Sequence, residues 1–400
     1  MNYLFFYAGV LIVLLLVLYR EARQHTKNLG RLSLRIHVNG TRGKSGVTRL
    51  IAAGLRNGGK RVFAKTTGTE ARKILPDGSE MSLKRRGPAN IRENIGLVRE
   101  AASLGADTLV FECMALQPDL QKFCEQRLLK SHIGVITNVR SDHEDIMGKG
   151  LKNIAAALSN TIPEQGLLVT TRAAAPLLEP HLRGTQMFIA DETVLPAEAL
   201  QGFPYEVVPE NLALALKVCE LAGVPQELAL AGMRSAAPDP GNLHLTHLDV
   251  AGKKIRLVDA LAANDPDSTL WLWHRYVPAQ IPAVVFLNCR PDRKLRTVQL
   301  CRAFTEQVGA GAAFTGRQAE LPAGTNSVIA YIVTGDTVFA REILGRQGVP
   351  ADKVFALPGT ATFAELTAVL AQLSGRELTV FAAGNIKGLS QDFRNSLNGG

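Results

Sequence analysis

Cysteine is scarce in this chain and never clustered: Cys113, Cys124, Cys219, Cys289 and Cys301 make five in 400 residues, and no two form a CxxC pair. That spacing excludes a disulfide framework and a structural zinc site, and leaves small buried hydrophobes in a reducing cytoplasm. Aromatics are only 6% of the residues, and no nucleic-acid reader motif appears, so no nucleic acid is expected as a partner. Internal repeats and low-complexity tracts are lacking too. With 46% hydrophobic and 20% charged residues, disorder, collagen and coiled coil are excluded.

A more telling absence is that of charge between Met1 and Tyr19, where no ionisable Asp, Glu, Lys, Arg or His occurs. From Tyr3 the chain reads YLFFYAGVLIVLLLVLY. As a helix, the uncharged run spans roughly 28 Å, close to a bilayer's hydrocarbon core. A signal peptide would carry Lys or Arg before this run and a small-x-small site after it, and both are missing. A buried core helix is the other reading, oddly placed at a terminus before a basic stretch. Arg20, Arg23, Lys27, Arg31 and Arg35 follow, with Glu21 the one acid among them. By the positive-inside rule this places everything after residue 20 in the cytoplasm. The expectation is a bacterial single-pass cell-membrane protein, with a transmembrane anchor at 1–20 and a basic juxtamembrane segment at 21–34 touching lipid. The whole chain carries +9 formal charge, which points to an anionic partner without choosing one.

Beyond residue 35, short apolar runs alternate with helix-like stretches. RIHV (35–38), RVFAK (61–65), DTLVFE (107–112), IGVITN (133–138) and GLLVT (166–170) read as buried strands. Helices are expected from Ser45 to Asn57 and near 89–104, 116–130 and 150–160. This alternation predicts an α/β protein with a largely parallel, doubly wound sheet. A Pro- and Gly-rich stretch, SAAPDPGN (235–242), breaks it, and the alternation then resumes. The expected organisation is a central ATP-binding domain at 35–237, a smaller Rossmann-like α/β domain at 238–392 and a frayed tail at 393–400.

Between the first strand and the first helix lies HVNGTRGKSG (37–46). Successive backbone N–H groups there can cradle phosphate, helped by the positive end of the helix. Lys44 would reach the β- and γ-phosphates and the Ser45 hydroxyl would ligate Mg²⁺. Val38 replaces the first glycine of the full GxxxxGK[ST] pattern. Glu112 ends a strand on the edge where open α/β sheets bind ligands. Asn138, Asp142, His143 and Asp145 follow the next strand, and an imidazole and carboxylate there can complete Mg²⁺ coordination. Taken singly, a chance turn, a strand-end salt bridge and a solvated loop histidine are the plainer readings of these positions.

In combination the residues resemble the Mur ligase family, the ATP-dependent amide-forming enzymes that include folylpolyglutamate synthase. The GTxGK[ST] loop is matched by Gly40, Thr41, Arg42, Gly43, Lys44 and Ser45, and the NxxxDHxD stretch by Asn138, Asp142, His143 and Asp145. The resemblance implies Ser45, Glu112 and His143 as metal ligands. It also implies Asn94 of an NIG segment as an adenine contact, Asp259 as a ribose contact, and Asp292 and Arg293 within a GDRD-like turn. Three features depart from the family. Only about 34 residues precede the loop, too few for a UDP-sugar domain; Ala157-Leu158 stand where a carbamylated lysine is expected; and PGN (240–242) replaces PGR, leaving Arg42 as a substitute for the γ-phosphate arginine.

With the anchor, and with GNIKGLS (384–390) and NCRPDRKLRT (288–297), the chain is similar to the ligase subunits of poly-γ-glutamate synthases. That resemblance implies ATP- and Mg²⁺-dependent extension of a γ-linked glutamate chain for capsule or secreted polymer, with glutamate and the growing polymer as substrates. It also implies a complex with small integral-membrane export subunits. The acceptor would be a polyanion, so Arg72-Lys73 and Lys84-Arg85-Arg86, flanking a loop at 66–88, are candidate substrate residues against an ordinary solvated basic face. Another ligase of the family, or a P-loop ATPase subunit of an exporter, are the competing functions.

Overall fold

No proline and a single glycine, Gly9, fall in the first 29 residues, so nothing breaks a helix there. In the computed structural model α1 runs unbroken from Asn2 to Leu29. The structure describes residues 2–68, 71–85, 87–205, 207–238, 243–263, 266–307, 328–385, 389, 393 and 396. Phe5–Leu29 is long and apolar enough to cross a membrane, and its large apolar side chains from Phe5 to Tyr19 are exposed. The other end of α1 is built into the fold: His25, Asn28, Leu29 and Leu32 are buried, and His25 Nε2 lies 2.9 Å from the Leu128 carbonyl. The Arg35 guanidinium donates to the carbonyls of Leu29, Leu32, Leu129 and Lys130. The stretch 21–34, expected as a lipid-contacting segment, is therefore half helix and half packed turn. A guanidinium that collects several carbonyls satisfies chain ends that no helix or strand partner reaches.

The chain forms two compact units, Met1–Pro240 and Gly241–Gly400. In the first, β1 (Leu34–Asn39), β2 (Val62–Thr66), β3 (Arg72–Ile74), β4 (Glu80–Ser82), β5 (Thr108–Glu112), β6 (Ile133–Ile136), β7 (Leu167–Thr171) and β8 (Gln186–Ala190) form one sheet in the order β4-β3-β2-β5-β1-β6-β7-β8. All neighbours from β2 to β8 pair in parallel, while β3 and β4 fold back as an antiparallel hairpin. The segment expected as a loop at 66–88 thus carries this hairpin and makes the sheet mixed. Helix α2 (Lys44–Asn57) covers one face; α3 (Glu93–Ser103) and α4 (Pro118–Phe123) lie on the other. The run expected as one helix at 116–130 changes to a π-helical turn over Cys124–Leu129.

Strand β1 shows why the middle of this sheet is rigid. Its side chains alternate between faces. Ile36 and Val38 enter the apolar core under α2. On the other face Arg35, His37 and Asn39 are polar, and His37 and Asn39 are buried with partners. Asn39 Nδ2 donates to Gln121 Oε1 at 2.9 Å and Thr161 Oγ1 at 3.1 Å. His37 Nδ1 is 2.8 Å from Glu125 Oε2, and Glu125 also accepts from the Ser131 amide and hydroxyl.

The second unit has the sheet order β13-β12-β11-β14-β10-β9, built from β9 (His244–Val250), β10 (Lys253–Asp259), β11 (Ala283–Cys289), β12 (Val328–Gly335), β13 (Val354–Ala356) and β14 (Glu377–Gly384). Only the edge pair β9–β10 is antiparallel among these described strands. Trp273, Phe304 and Phe381 pack edge to face on one side, with centroids 5.2–5.9 Å apart, a geometry that adds to their burial.

The His37–Glu125 pair gives the fold a pH signature. Burial alone lowers the imidazole pKa, but the thiols of Cys113 and Cys124 and the Glu125 carboxylate outweigh it and hold the ring well above its usual 6.5. The folded protein therefore keeps this proton to higher pH than the unfolded chain does. The contribution is complete below about 6.5 and fades as the pH climbs through the raised folded value. Denaturant unfolding of the full chain in detergent should show stability declining across that alkaline window. In Glu125→Gln the decline should shrink; an unchanged profile would contradict a charged pair.

Candidate active site

The loop after β1 is placed by topology. β1 lies between β5 and β6, so its carboxyl end is flanked by Glu112 on one side and by Thr137-Asn138 on the other. This is the edge on which open α/β sheets bind ligands. Gly40 and Gly43 take φ of 133° and 79°, a region that costs glycine little. A Cβ on Gly40 would lie 2.1 Å from Thr137 Oγ1, and one on Gly43 2.7 Å from Asn211 Oδ1. The loop is thus pressed between β6 and helix Pro209–Leu221.

Asn138 stitches it down. Its Oδ1 accepts from Thr41 Oγ1 at 2.6 Å and from the Arg42 amide at 3.0 Å, and its Nδ2 donates to the Arg42 carbonyl at 3.1 Å. Thr137 Oγ1 donates to the same carbonyl, and the Arg140 amide donates to Thr41 Oγ1. Helix α2 then begins at Lys44 with no side-chain cap and no acid in its first turn. A helix start of that kind, led by a tight glycine loop, suits an anion. Lys44 Nζ donates to the Gly40 carbonyl at 2.6 Å and the Thr41 carbonyl at 3.2 Å. Burial pulls its pKa below the ordinary lysine value, Glu112 offsets part of that, and Arg42 adds to it.

Ser45 and Glu112, residues 67 positions apart in sequence, meet here. Ser45 Oγ donates to Glu112 Oε2 at 2.8 Å, and the Thr67 amide donates to the same oxygen at 2.6 Å. Both side chains are buried. Their donors are hard oxygens, the set that Mg²⁺ prefers, so they fit the ion expected from the sequence. His143 is not joined to them by any hydrogen bond. It sits in a left-handed backbone conformation (φ 47°), 41% exposed, with Nε2 3.8 Å from Asp142 Oδ1. Asp142 also pairs with Arg42 at 3.3 Å, and Asp145 is exposed on the short helix that follows. Among the described residues no three His, Cys, Asp or Glu side chains gather as a metal cluster.

Asn94, expected as an adenine contact, is engaged within the protein. It is 2% exposed, accepts from Lys65 Nζ at 2.7 Å and donates to Cys124 Sγ at 3.1 Å, so both ends of its amide are used inside the protein. Lys65, which the strand pattern hid, is fully buried. Its ammonium meets Glu93 at 2.9 Å and faces the Phe111 ring. A buried lysine needs such partners to stay charged.

The basic candidates are largely compensated. Arg72 and Lys73 lie on β3, beside Glu80 and paired with Glu100 respectively. Arg85 forms a two-pronged bond to Glu93 at 2.9 and 3.0 Å, while Lys84 is exposed. Arg86 lies outside the described residues, as do Pro240-Gly241-Asn242 and Asn264. Ala157 and Leu158, at the expected carbamyl-lysine position, are core.

In the second unit Asp259 ends β10 and accepts from the Leu261 amide at 3.1 Å. Asp292 is gripped by Arg290 at 2.9 and 2.6 Å, and that bond holds its carboxyl below the usual range. Arg293 precedes helix Lys294–Arg302. Asn288 and Asn385 exchange side-chain-to-carbonyl bonds across β11 and β14, and Arg296 donates to Asn385 Oδ1 at 2.7 Å. Sequence reasoning missed Asn211, Thr67 and this asparagine pair. Asn288 begins NCRPDRKLRT and Asn385 sits within GNIKGLS, but nothing local pairs them.

Residues 38–174 match the Mur ligase middle domain, and residues 245–399 match the poly-gamma-glutamate synthase CapB C-terminal domain. The chain is 36% identical to a capsule biosynthesis protein CapB of Bacillus anthracis, over 93% of this chain and 78% of that one. It is 34% identical to a PGA synthase CapB of Bacillus subtilis (strain 168), over 95% and 94%. A Yersinia pestis bifunctional folylpolyglutamate synthase/dihydrofolate synthase, solved with AMPPNP and Mn ion, shares the fold at 15% identity, with a TM-score of 0.63 over 92% of this chain and 91% of that one. Loop, paired strand-end carboxylate and both domain matches thus agree that the chain belongs to the CapB family, a branch of the Mur ligase fold.

Proposed function

We propose that this chain is the ATP-dependent ligase that extends poly-γ-glutamate, forming an amide between the γ-carboxylate at the end of the polymer and the amine of an incoming glutamate. The observation that carries the reading is the buried junction of Ser45 Oγ, Glu112 Oε2 and the Thr67 amide at the mouth of the phosphate loop. A kinase or an exporter ATPase would need the loop as well. The family membership, and the CapB-type second unit, favour the ligase.

A carboxylate is a poor acyl donor because oxide is a poor leaving group. A γ-carboxylate oxygen attacks the γ-phosphorus of ATP, the bond from that phosphorus to the β–γ bridging oxygen breaks, and ADP leaves. The glutamate amine then adds to the acyl carbon of the acyl phosphate, loses a proton, and phosphate departs with the C–O electron pair. Lys44 and the amides of the loop neutralise and orient the phosphates, so most of the protein's work is positioning and charge stabilisation. Mg²⁺, held by Ser45 and Glu112, would supply further charge neutralisation on the phosphate oxygens. The exposed His143 is a third candidate ligand, carried by the loop that pairs Asp142 with Arg42. Arg42 takes the role left by the missing PGR arginine. Asp259, Asp292 and Arg293, in the second unit, remain candidate nucleotide contacts by the family resemblance alone. The acceptor is polyanionic, and Arg72 and Lys73 stand beside the strand end whose next residues hold Glu112. The anchor holds the enzyme at the cytoplasmic face of the membrane, next to small integral-membrane subunits that export the product.

Membranes carrying the chain and its neighbours, given ATP and labelled glutamate, should release ADP in a glutamate-dependent manner and build acid-stable polymer. Lys44→Ala should lower both by about 10²–10³-fold. Release of AMP, or ATP hydrolysis indifferent to glutamate, would contradict the ligase. Replacing Arg72 and Lys73 together by Ala should raise the KM for polymer several-fold and leave the KM for ATP within twofold. An unchanged polymer KM would remove the hairpin from the acceptor path.

A further inference from the structure

The direction of α1 says which edge of the first unit meets the bilayer. After β4 rises to Ser82, paired with Arg72 at the carboxyl end of β2, the chain reaches Arg92 at the head of α3. It then descends through α3 to Ser103, from which β5 starts upward again. Arg92 therefore stands near the phosphate-loop edge and Ser103 near the opposite one. Helix α1 packs against α3 and runs the same way. Its last residue, Leu29, is tied to Arg35 at the start of β1, its His25 is level with Leu128 near the foot of the π-helical turn, and its Glu21 reaches Arg92 at 3.3 Å. Followed backwards from Leu29, the helix climbs towards the phosphate loop and carries its charge-free end out beyond that edge.

The heights agree. From Leu29 back to Arg20 the helix rises about 14 Å at about 1.5 Å per residue, and β1 rises about 17 Å from Leu34 to Asn39 at about 3.3 Å per residue. The first charged residue after the apolar run is thus within about one helical turn of the phosphate loop's height. The stretch leading into α3 is basic. MSLKRRGPANIR (81–92) contains Lys84, Arg85, Arg86 and Arg92 and no acid, and Lys84, Arg85 and Arg92 are exposed.

We infer that α1 is a rigid strut that sets the phosphate-loop edge of the first unit against the cytoplasmic surface of the bilayer, with the 83–92 loop, Arg20 and Arg23 contacting anionic lipid headgroups. This rests on the membrane-anchor reading above and adds an orientation to it. Polymer made at that edge emerges at the membrane surface rather than on the far side of the enzyme. Basic residues beside a membrane helix each gain free energy near an acidic headgroup layer, falling off within a Debye length.

The test uses the full chain in vesicles of phosphatidylglycerol and phosphatidylcholine. All five native cysteines are buried, so single surface thiols introduced as Ala89→Cys or Ser103→Cys take a fluorophore selectively, and a headgroup-linked quencher reports proximity. The label at 89 should be quenched several-fold more than the label at 103. Lys84→Glu should weaken quenching at 89 on anionic vesicles and leave it unchanged on pure phosphatidylcholine. Equal quenching or the reverse order, in protein that still floats with the vesicles, would overturn the orientation while the anchor stands. Failure to float would overturn both. Quenching at 89 that ignores both lipid charge and Lys84→Glu would refute the headgroup contact and return the loop to the polymer.

Discussion

The buried Glu112 carboxylate constrains everything around it. A carboxylate with almost no exposure needs donors, and Oε2 has two: the Ser45 hydroxyl from the phosphate loop and the Thr67 amide from the end of β2. Those bonds join three strand ends, β1 through its loop, β2 and β5, at one point. They also fix the hydroxyl that would meet a metal ion, and they hold Thr67, the residue that follows β2. Charge-assisted bonds of this kind are shorter and stronger than neutral ones, and inside a low-dielectric site they are costly to break.

Strand β1 carries that constraint downward. Its inward alternation, Arg35, His37 and Asn39, gathers the end of the apolar helix, the π-helical turn and the helix after β6 onto one strand, while Ile36 and Val38 hold α2 from the other face. One six-residue strand thus connects the anchor to the phosphate loop. That continuity lets the direction of α1 say something about where the proposed chemistry takes place.

Much of this was legible in the sequence, for identifiable reasons. The apolar strand runs and the glycine–lysine–serine turn advertise themselves through composition and local geometry, and Glu112 could be placed because it ends a strand. Its bond to Ser45 follows from β5 lying beside β1, a non-local fact. The hairpin was hidden because its strands are three residues long and rich in charge, so pairing to Glu80 across the hairpin and to Glu100 of α3 defines them rather than any apolar period. Lys65 looked like a strand's polar end because its partners, Glu93 and Asn94, come from a helix 28 residues later. At the end of α1 the basic run shows only the exposed side, Arg23, Lys27 and Arg31, whereas the residues between them, His25, Asn28 and Leu29, pack into the fold.

In the proposed mechanism the γ-phosphate of ATP is passed to a carboxylate before an amide forms. Polymer or glutamate acceptor labelled with ¹⁸O in its carboxylates, incubated with ATP, glutamate and the membrane-bound enzyme, tests it directly by mass analysis of the phosphate released. An acyl phosphate predicts one ¹⁸O in each phosphate for every amide made. Phosphate that carries no label while polymer grows would mean that water, not the carboxylate, receives the phosphoryl group, and would contradict the account.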